Sequence, residues 1–504
     1  MSNSSRIVKN TLALYFRQIL IMLVSLYTVR VVLNVLGAED YGIYNVVAGV
    51  VTMFSFLSGA MASASQRYFS FELGKNNQEG LEKIFAITVT IYAILALAII
   101  LLAETLGLWF VCKKLVIPAE RLTAAKWIYQ CAIISFLFTI MTTPYMSSII
   151  AHENMNVYAY VSIVEAVLKL AIVFVLKIGT FDKLILYGLL QVLVAAINTS
   201  LYRFYCKRHY RECKFRFLWE REKIKEMFSY VGWNLFGSAV GVFKNQILNI
   251  LLNQFFGAVV NAARAIAFQI SAAVSSFSQN FSTAIRPQII KSYAADEKED
   301  CIRLAFRGCR LTFFLMLIFT IPLVLEMPFV LKVWLKNPPE NTVLFARLVL
   351  LDVLIDSVSY PIMTLAQATG KIKLYQSVVG GILLLNFPVS WIVLSFGVDA
   401  WSVFVVGICI TTIAFVVRLF IVRHLISFSL RSFCKDVVLR IFAVSLISVP
   451  LPLVLEFFIQ NEILRFFLVC IASVLMTGGT ALFIGMTKNE RSALLKKLRG
   501  KIHA

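Results

Sequence analysis

LNVLGAEDYGIYNVVAGVV occupies residues 33–51, and LNQFFGAVVNAARAIAFQI occupies residues 252–270. Gly37 of the first stretch falls on Gly257 of the second, and Asn34 falls near Asn253. The copies continue as SGAMASASQRYFSFELGKNN (58–77) and SQNFSTAIRPQIIKSYAADEK (278–298). In each, a tight turn at a glycine leads into a helix rich in small residues. That helix exits at a basic segment, Gln66-Arg67 in one copy and Arg286-Pro287 in the other. Self-similarity at an offset of about 220 residues implies a duplicated architecture.

The chain around the repeat is apolar. Of its 504 residues, 60% are hydrophobic and 15% charged, and mean hydropathy is +0.82. Soluble domains sit nearer ~45–50% apolar and ~25% charged, and disorder requires the opposite balance. Fourteen apolar blocks stand between charged or Gly/Pro breaks, at about 11–36, 43–66, 84–112, 124–150, 156–177, 184–205, 227–254, 259–285, 304–330, 341–367, 374–396, 400–422, 436–458 and 463–486. Each approaches the ~20 residues that a helix needs to cross a bilayer. A membrane barrel would show ~10-residue alternating strands instead. The expected fold is therefore an all-α integral membrane protein of about 14 transmembrane helices.

The formal net charge is +21. With the N-terminus inside, cytoplasmic segments hold 33 of the 48 Lys and Arg, external segments 10, and the spans themselves 5. That asymmetry predicts both termini in the cytoplasm, and no groove of interleaved aromatic and basic residues points to nucleic acid. The organisation expected is an N-lobe of six spans over 1–205 and a basic cytoplasmic linker over 206–226. A C-lobe of six spans over 227–427 follows, and then two more spans with a basic tail over 428–504. The first block carries Arg17 and Arg30 and lacks a small-residue cleavage site, so no cleavable signal peptide is expected. Nine cysteines without a C-x-x-C pair indicate neither a disulfide framework nor a zinc site.

At Leu36-Gly37-x-Glu39-x-Tyr41-Gly42-Ile43-Tyr44, then Gly59 and Arg67, and again at Gln367-Ala368-Thr369-Gly370-Lys371-x-Lys373-x-Tyr375-Gln376, the chain resembles a known family. It is the polysaccharide-exporter branch of the multidrug/oligosaccharidyl-lipid/polysaccharide (MOP) superfamily, specifically its Wzx-type flippases. The resemblance implies two lobes in parallel repeat, as in MATE transporters and lipid II flippases. It also implies a cargo, undecaprenyl-diphosphate-linked oligosaccharide carried across the bacterial inner membrane for O-antigen (lipopolysaccharide), capsular or exopolysaccharide synthesis. Neighbouring glycan polymerases and glycosyltransferases are the partners it implies, together with the membrane lipid itself. Parallel-repeat transporters bind between lobes and rock.

Ionisable groups inside the spans are the candidate site, because a charge at mid-membrane costs at least ~2.5–3.5 kcal/mol and requires a partner, water or a task. Arg pairs bidentately with phosphate and keeps its charge. Arg30 lies seven residues before Gly37 and Arg264 seven after Gly257, about 10 Å of helix in each case. At equal depth the two either clamp a diphosphate or snorkel to the outer interface. Lys244, in V-F-K-N-Q, lies deeper and is a cavity candidate. Arg17, about 30 Å from the turn, either snorkels to the cytoplasmic surface or meets the headgroup.

Glu165 and Lys169, one turn apart, form a local pair or contact a glycan. Asp352 and Asp356, also one turn apart, either couple to H+ or Na+ or pair with basic groups. Ser271, Ser275, Ser278, Gln279 and Ser282 form a polar stripe that lines a cavity or packs closely. Gly59, Ala60, Ala62, Ser63, Ala64 and Ser65 mark tight packing.

Competing functions fare less well on these residues. A MATE-type exporter of organic cations favours acids early in the chain, where the first span has only basic ionisable groups besides Tyr. A lipid II flippase is harder to separate. A glycan polymerase or ligase is disfavoured by short external loops, the longest around 331–341 (LKVWLKNPPEN), and by His152, His209, His424 and His503 all falling in cytoplasmic segments. Without a Gly-rich phosphate loop or an external nucleophile–base set, the chain is expected to be neither an ATPase nor another enzyme and to need no cofactor.

Overall fold

Two glycines break the two longest helices in the same way. Helix α1 (Asn3–Thr52) is interrupted at Gly37, with φ 82° and ψ 167°. Helix α8 (Arg221–Ala294) is interrupted at Gly257, with φ 79° and ψ −170°. This corner of backbone space is essentially closed to residues with a Cβ. The glycine aligned by the repeat is thus the conformational hinge in both copies.

The computed structural model describes residues 3–52, 55–113, 117–178, 182–214, 218–487 and 490–492, and among them every regular element is a helix. After α1 come α2 (Ser55–Gly74), α3 (Gln78–Leu102), α4 (Leu108–Lys113), α5 (Leu122–Ala151), α6 (Met155–Ile178) and α7 (Lys183–His209). After α8 come α9 (Lys298–Leu325), α10 (Met327–Leu335), α11 (Thr342–Thr369), α12 (Lys373–Leu384), α13 (Asn386–Ser395) and α14 (Ser402–Ile426). The chain ends in α15 (Leu430–Phe433), α16 (Leu439–Ser448), α17 (Pro450–Phe458) and α18 (Glu462–Thr480).

Smaller features keep the repeat's register. Left-handed Asn76 (φ 53°) after α2 matches left-handed Asp296 (φ 61°) after α8, at the same spacing as the two hinge glycines. Pro144 inside α5 matches Pro361 inside α11. Left-handed Glu153 and Gly370 follow those two helices at that shorter spacing. Packing follows suit: α5 packs on α3 and α7 as α11 packs on α9 and α14.

All fourteen apolar blocks are mostly helical, with breaks at Glu326, Leu385 and Val449 and at a few block ends, and with residues 53 and 54 outside the described set. Ten helical stretches among the described residues are long and apolar enough to cross a membrane. The four blocks outside those ten are 11–36, 43–66, 259–285 and 341–367. These four blocks carry Arg17 and Arg30, the small-residue run at 59–65, Arg264 with the serine stripe, and Asp352 with Asp356. The expected loop at 331–341 begins as helix, because α10 extends to Leu335.

The chain forms two compact units, Met1–Ser238 with Tyr293–Ala295, and Ala239–Ser292 with Asp296–Ala504. In unit 1 one apolar cluster joins Val47, Ile128, Tyr129 and Leu184, and another joins Val32, Val173, Leu176 and Val194. Arg121 fastens one end. Its Nε donates to Asp40 Oδ1 at 2.8 Å, and its Nη1 to Asp182 Oδ2 at 2.6 Å. Asp182 in turn caps α7 by accepting from the Leu184 and Ile185 amides. Unit 2 is built on Leu251, Leu252, Ala267, Met316, Phe345 and Leu350. Its corresponding fastening is Glu326, whose two oxygens accept from Arg465 at 2.7 and 3.1 Å.

The described part of the expected linker is packed into unit 1. Glu212 is buried and meets His152 Nε2 at 2.6 Å, Ser148 Oγ at 3.3 Å and Gln78 Nε2 at 3.4 Å. The Tyr210 ring stacks on His152, centroids 4.1 Å apart. Burial alone would raise the Glu212 carboxyl. Its hydrogen bonds to His152 and to the backbone outweigh that, and hold it below the usual carboxylate range.

Two predictions follow from this framework. Gly37→Ala and Gly257→Ala should each cost about 1–3 kcal/mol, although a Cβ at either meets no neighbouring atom. Gly42→Ala, on helix with open space around it, should be neutral or stabilising. Thermal unfolding in detergent distinguishes these outcomes, and equal melting of all three variants would remove the hinge argument. Secondly, a carboxyl with a depressed folded-state pKa stabilises above the unfolded value, and that contribution fades as pH falls through the folded value. Glu212→Gln should therefore melt below the wild type at neutral pH, with the gap closing below about pH 4.

Candidate functional site

The hinge at Gly257 folds α8 into two arms, and Arg264 on the second arm reaches back to the first. Its Nη2 donates to the Asn245 carbonyl at 2.8 Å and its Nη1 to Asn249 Oδ1 at 3.3 Å. Its guanidinium lies 4.3 Å from the Phe268 ring centroid, a cation–π contact that compensates lost hydration. Arg264 is only 7% exposed.

Arg264, Lys244, Asp352 and Asn386 line one cavity of about 50 Å³ inside unit 2. The α11 carboxylate of Asp352 feels the Lys244 charge and takes a hydrogen bond from Thr411. Its Oδ1 is buried with no hydrogen-bond partner among the described residues. Asn386 stands where α12 gives way to α13, two residues before Pro388, which cannot continue the backbone ladder. Its Oδ1 accepts from Ser390 Oγ at 3.0 Å, while Nδ2 is buried without a partner among the described residues. A space of this size accommodates an ordered water and excludes a sugar. Two cations and one anion leave its lining with one net positive charge.

Asp356 is drawn into a different cluster. It hydrogen-bonds Tyr360, which also bonds Gln279 of the serine stripe. The buried Arg418 of α14 lies nearby, 5.7 Å from the Tyr375 ring centroid. Thus the two α11 acids, one turn apart, have separate partner sets. Within the stripe, Ser271, Ser278 and Ser282 are buried while Gln279 is exposed.

In unit 1 a larger cavity, about 400 Å³, is lined from α1, α6 and α7 by Ser25, Thr28, Tyr44, Glu165, Lys169 and Gln191, among others. A second space of about 190 Å³ shares its Tyr44 and Gln191 walls and adds Ser135 and Thr139. Lys169 Nζ lies 2.7 Å from Glu165 Oε1, and Asn198 Nδ2 donates to Glu165 Oε2 at 3.0 Å. Tyr44 and Tyr187 meet edge to face at 4.8 Å, and a hydrogen-bonded run links Tyr44, Tyr187 and Gln191. The lining carries one acid and one base, so its net charge is zero.

Two candidates remain, Arg17 and Arg30. Arg17 lies 4.5 Å from the Tyr158 ring centroid, outside the cavity lining. The backbone of Arg30 is helical, but its side chain lies outside those the structure describes. Sequence reasoning missed Asn386, Tyr187, Gln191 and Asn198, and took Tyr44 only as a letter of the family motif. Asn386 had a signal, a lone amide beside proline in LLLNFP; Tyr187 had none beyond its place on an apolar helix.

A family model described as "polysaccharide biosynthesis protein" matches residues 7–292. The chain belongs to this polysaccharide biosynthesis family. No functionally curated protein matches it. Among solved structures, an outward-facing multidrug-resistance MATE transporter of the MOP superfamily superposes with a TM-score of 0.74 at 13% identity, covering 85% of this chain and 96% of that one. A MATE protein in the bent conformation gives 0.74 at 12%, with the same coverage. A MOP superfamily transporter from Pyrococcus furiosus gives 0.72 at 12%, again over 85% and 96%. This member of the polysaccharide biosynthesis family is thus a multi-pass membrane protein with the MATE-like fold that its sequence led us to expect.

The attraction of the half-buried Lys244 charge for Asp352 is testable by stability alone. Removing one member of a fully buried ion pair costs about 3–5 kcal/mol, which is the upper bound here, whereas replacing both by apolar groups is often close to neutral. Asp352→Leu should therefore melt well below the wild type, and Lys244→Met/Asp352→Leu should recover most of the loss. Additive losses in the double variant would separate the two residues.

Proposed function

We propose that this polysaccharide-family protein is a flippase. It carries an undecaprenyl-diphosphate-linked oligosaccharide, the repeat unit of an O-antigen or of a capsular or exopolysaccharide, from the inner to the outer leaflet of a bacterial cytoplasmic membrane. In this reading both termini are cytoplasmic, access alternates between the two sides, and the protein moves its cargo without making or breaking bonds. The glycan polymerase and glycosyltransferases of the same route work on either side of it.

The observation that carries the reading is the 400 Å³ polar cavity of unit 1 with its charge-balanced lining. Ligand-sized pockets begin at roughly 300 Å³, and this one offers what sugar hydroxyls require: a carboxylate, an ammonium, an amide and several hydroxyls, alternating donors with acceptors. Tyrosine rings supply apolar faces for the ring C–H groups. A pocket for organic cations needs an excess of acid, and here Lys169 cancels Glu165. For the P. furiosus transporter, reversed polarity of the binding pocket suggests a different function; the same argument from pocket charge turns this chain away from cationic drugs. The diphosphate falls to the basic groups Arg17, Arg30, Lys244 and Arg264. Around Asp352, Lys244 and Arg264 hold one unneutralised positive charge that a phosphate offsets, and exchange of Asp352 between these cations and a proton or Na+ would couple the cycle.

The test is depletion in the native cell, with quantification of lipid-linked oligosaccharide retained on the inner leaflet. Wild type should relieve the accumulation. Glu165→Ala/Lys169→Ala at matched membrane levels should relieve it about tenfold less, as expected on losing one charge-assisted hydrogen bond to cargo. Full rescue by the double variant would move the glycan site elsewhere. Depletion without accumulation, accompanied by sensitivity to cationic drugs, would reject the flippase in favour of an exporter.

A further inference from the structure

Helix α14 is the last element of the repeated set, and α15–α18 are additional to it. At the joint, α14 closes on Ser427, left-handed at φ 58°, and α15 starts at Leu430. Around this turn lies an open cavity of about 700 Å³. Its wall includes Phe420, Arg423, His424, Ser427, Ser429 and Arg431. No acid contributes to it. Arg423, His424 and Arg431 make no ion pair among the described residues, although ion pairs tie down Arg310, Arg440 and Arg465 in the same unit. Two guanidinium groups, an imidazole and two hydroxyls face one open space, and together they form a site for an oxyanion with several acceptor oxygens.

The apolar surroundings narrow the class of anion. Ile413, Val416 and Phe420 are all exposed and stand at positions i, i+3 and i+7 of α14, one stripe about 10 Å long. Val438, Leu439 and Phe442 are exposed on the other side of the joint. Both stripes belong to stretches apolar enough to cross a membrane. Phe420 ends the first stripe and also lines the basic pocket, so an apolar track runs directly into the cationic one. A free phosphate uses only the basic wall and leaves most of the volume open, whereas a phospholipid uses both parts. Basic pockets at the ends of membrane helices bind anionic lipid headgroups through this combination.

We propose that the α14–α15 joint is a binding site for a resident anionic phospholipid. Arg423, His424 and Arg431 hold its headgroup phosphate, and the Ile413–Val416–Phe420 stripe receives an acyl chain. The lipid fills the joint between the repeated helices and the added pair. This site is separate from the cavities assigned to cargo, and it does not depend on the flippase reading.

The test is native mass spectrometry of the detergent-purified full chain, titrated with phosphatidylglycerol and, in parallel, phosphatidylcholine. Phosphatidylglycerol adducts should persist under conditions that strip phosphatidylcholine. Arg423→Gln/His424→Gln/Arg431→Gln should weaken them about tenfold or more. Arg423→Lys/Arg431→Lys, which keeps the charge, should recover most of the binding and shows that the loss in the triple variant is not misfolding. Lys207→Gln/Arg208→Gln/Arg211→Gln removes at least as much exposed positive charge from unit 1 and should leave the adducts unchanged. Equal retention of both lipids, or an undiminished adduct on the triple variant, would overturn the site. Displacement by inorganic phosphate at millimolar concentration would make it a free-anion site, and preferential capture of undecaprenyl diphosphate would assign it to cargo; either result overturns the proposal.

Discussion

The backbone at Gly37 and Gly257 is the constraint on which the rest depends. At φ near 80° with ψ near 180°, a helix must stop and restart in a new direction without a loop to absorb the change. In unit 2 the consequence is visible at atomic detail. Because α8 folds back at Gly257, Arg264 seven residues after the break reaches the Asn245 carbonyl and Asn249 before it. A continuous helix would hold Arg264 and Asn245 about 28 Å apart. The hinge therefore turns a linear distribution of polar residues into a cluster. The same conformation in α1, at the position the repeat aligns, makes the duplication a structural fact as well as a similarity of letters.

Charge compensation is the second organising principle. Several of the intramembrane ionisable groups are met by a complementary group. Arg264 has carbonyl, amide and aromatic partners, Glu165 has Lys169 and Asn198, and Asp356 has Tyr360. Asp352 is met less fully, with Thr411 and the Lys244 charge on one side and a bare buried Oδ1 on the other. Incomplete satisfaction within a polar cavity is where exchange of partners costs least, because no fully formed bond has to break first. Asp352 on α11 and Asn386 at the α12–α13 break both line the unit 2 cavity, so two incompletely satisfied groups meet at one place.

Much of this was legible in the letters, and the limit has a physical form. Apolar block length depends on bilayer thickness and helix rise alone, so membrane helices at 84–112 or 400–422 needed no tertiary knowledge. Gly37 and Gly257 were legible because a conformation closed to other residues leaves a fixed letter. Lys244, Arg264 and Asp352 were legible as charges in apolar runs, but their meeting depends on how α8 and α11 pack, and packing leaves no fixed letter. The equal-depth argument for Arg30 and Arg264 used distance along the axis. It did not anticipate that Arg264 would be engaged by the opposite arm of its own hairpin. Asp352 and Asp356 were read as one face because four residues make about one turn, yet a small rotation along α11 sends one to Lys244 and the other to Tyr360. Tyr187 and Gln191 were invisible for the converse reason, and Tyr44 showed only as a motif letter, as aromatic and amide residues on helices of unit 1 acquire a role only once a cavity opens beside them.

The two units use the same scaffold for different interiors. In unit 1 the helices leave a cavity of about 400 Å³ in which acid and base cancel. In unit 2 the space among Lys244, Arg264 and Asp352 is about 50 Å³, separate from the open basic pocket at the α14–α15 joint. A duplicated fold that served one role twice would keep both interiors alike. A cargo with a bulky neutral part and a compact anionic part presents two different recognition problems. Neutral hydroxyls need room and alternating donors and acceptors, and net charge there would only add desolvation cost. A diphosphate needs fixed positive charge with its own desolvation already compensated, which Asn245, Asn249 and Phe268 provide for Arg264. On the flippase reading proposed above, division of labour between the interiors is what such a cargo would require, and a small organic cation would ask for neither.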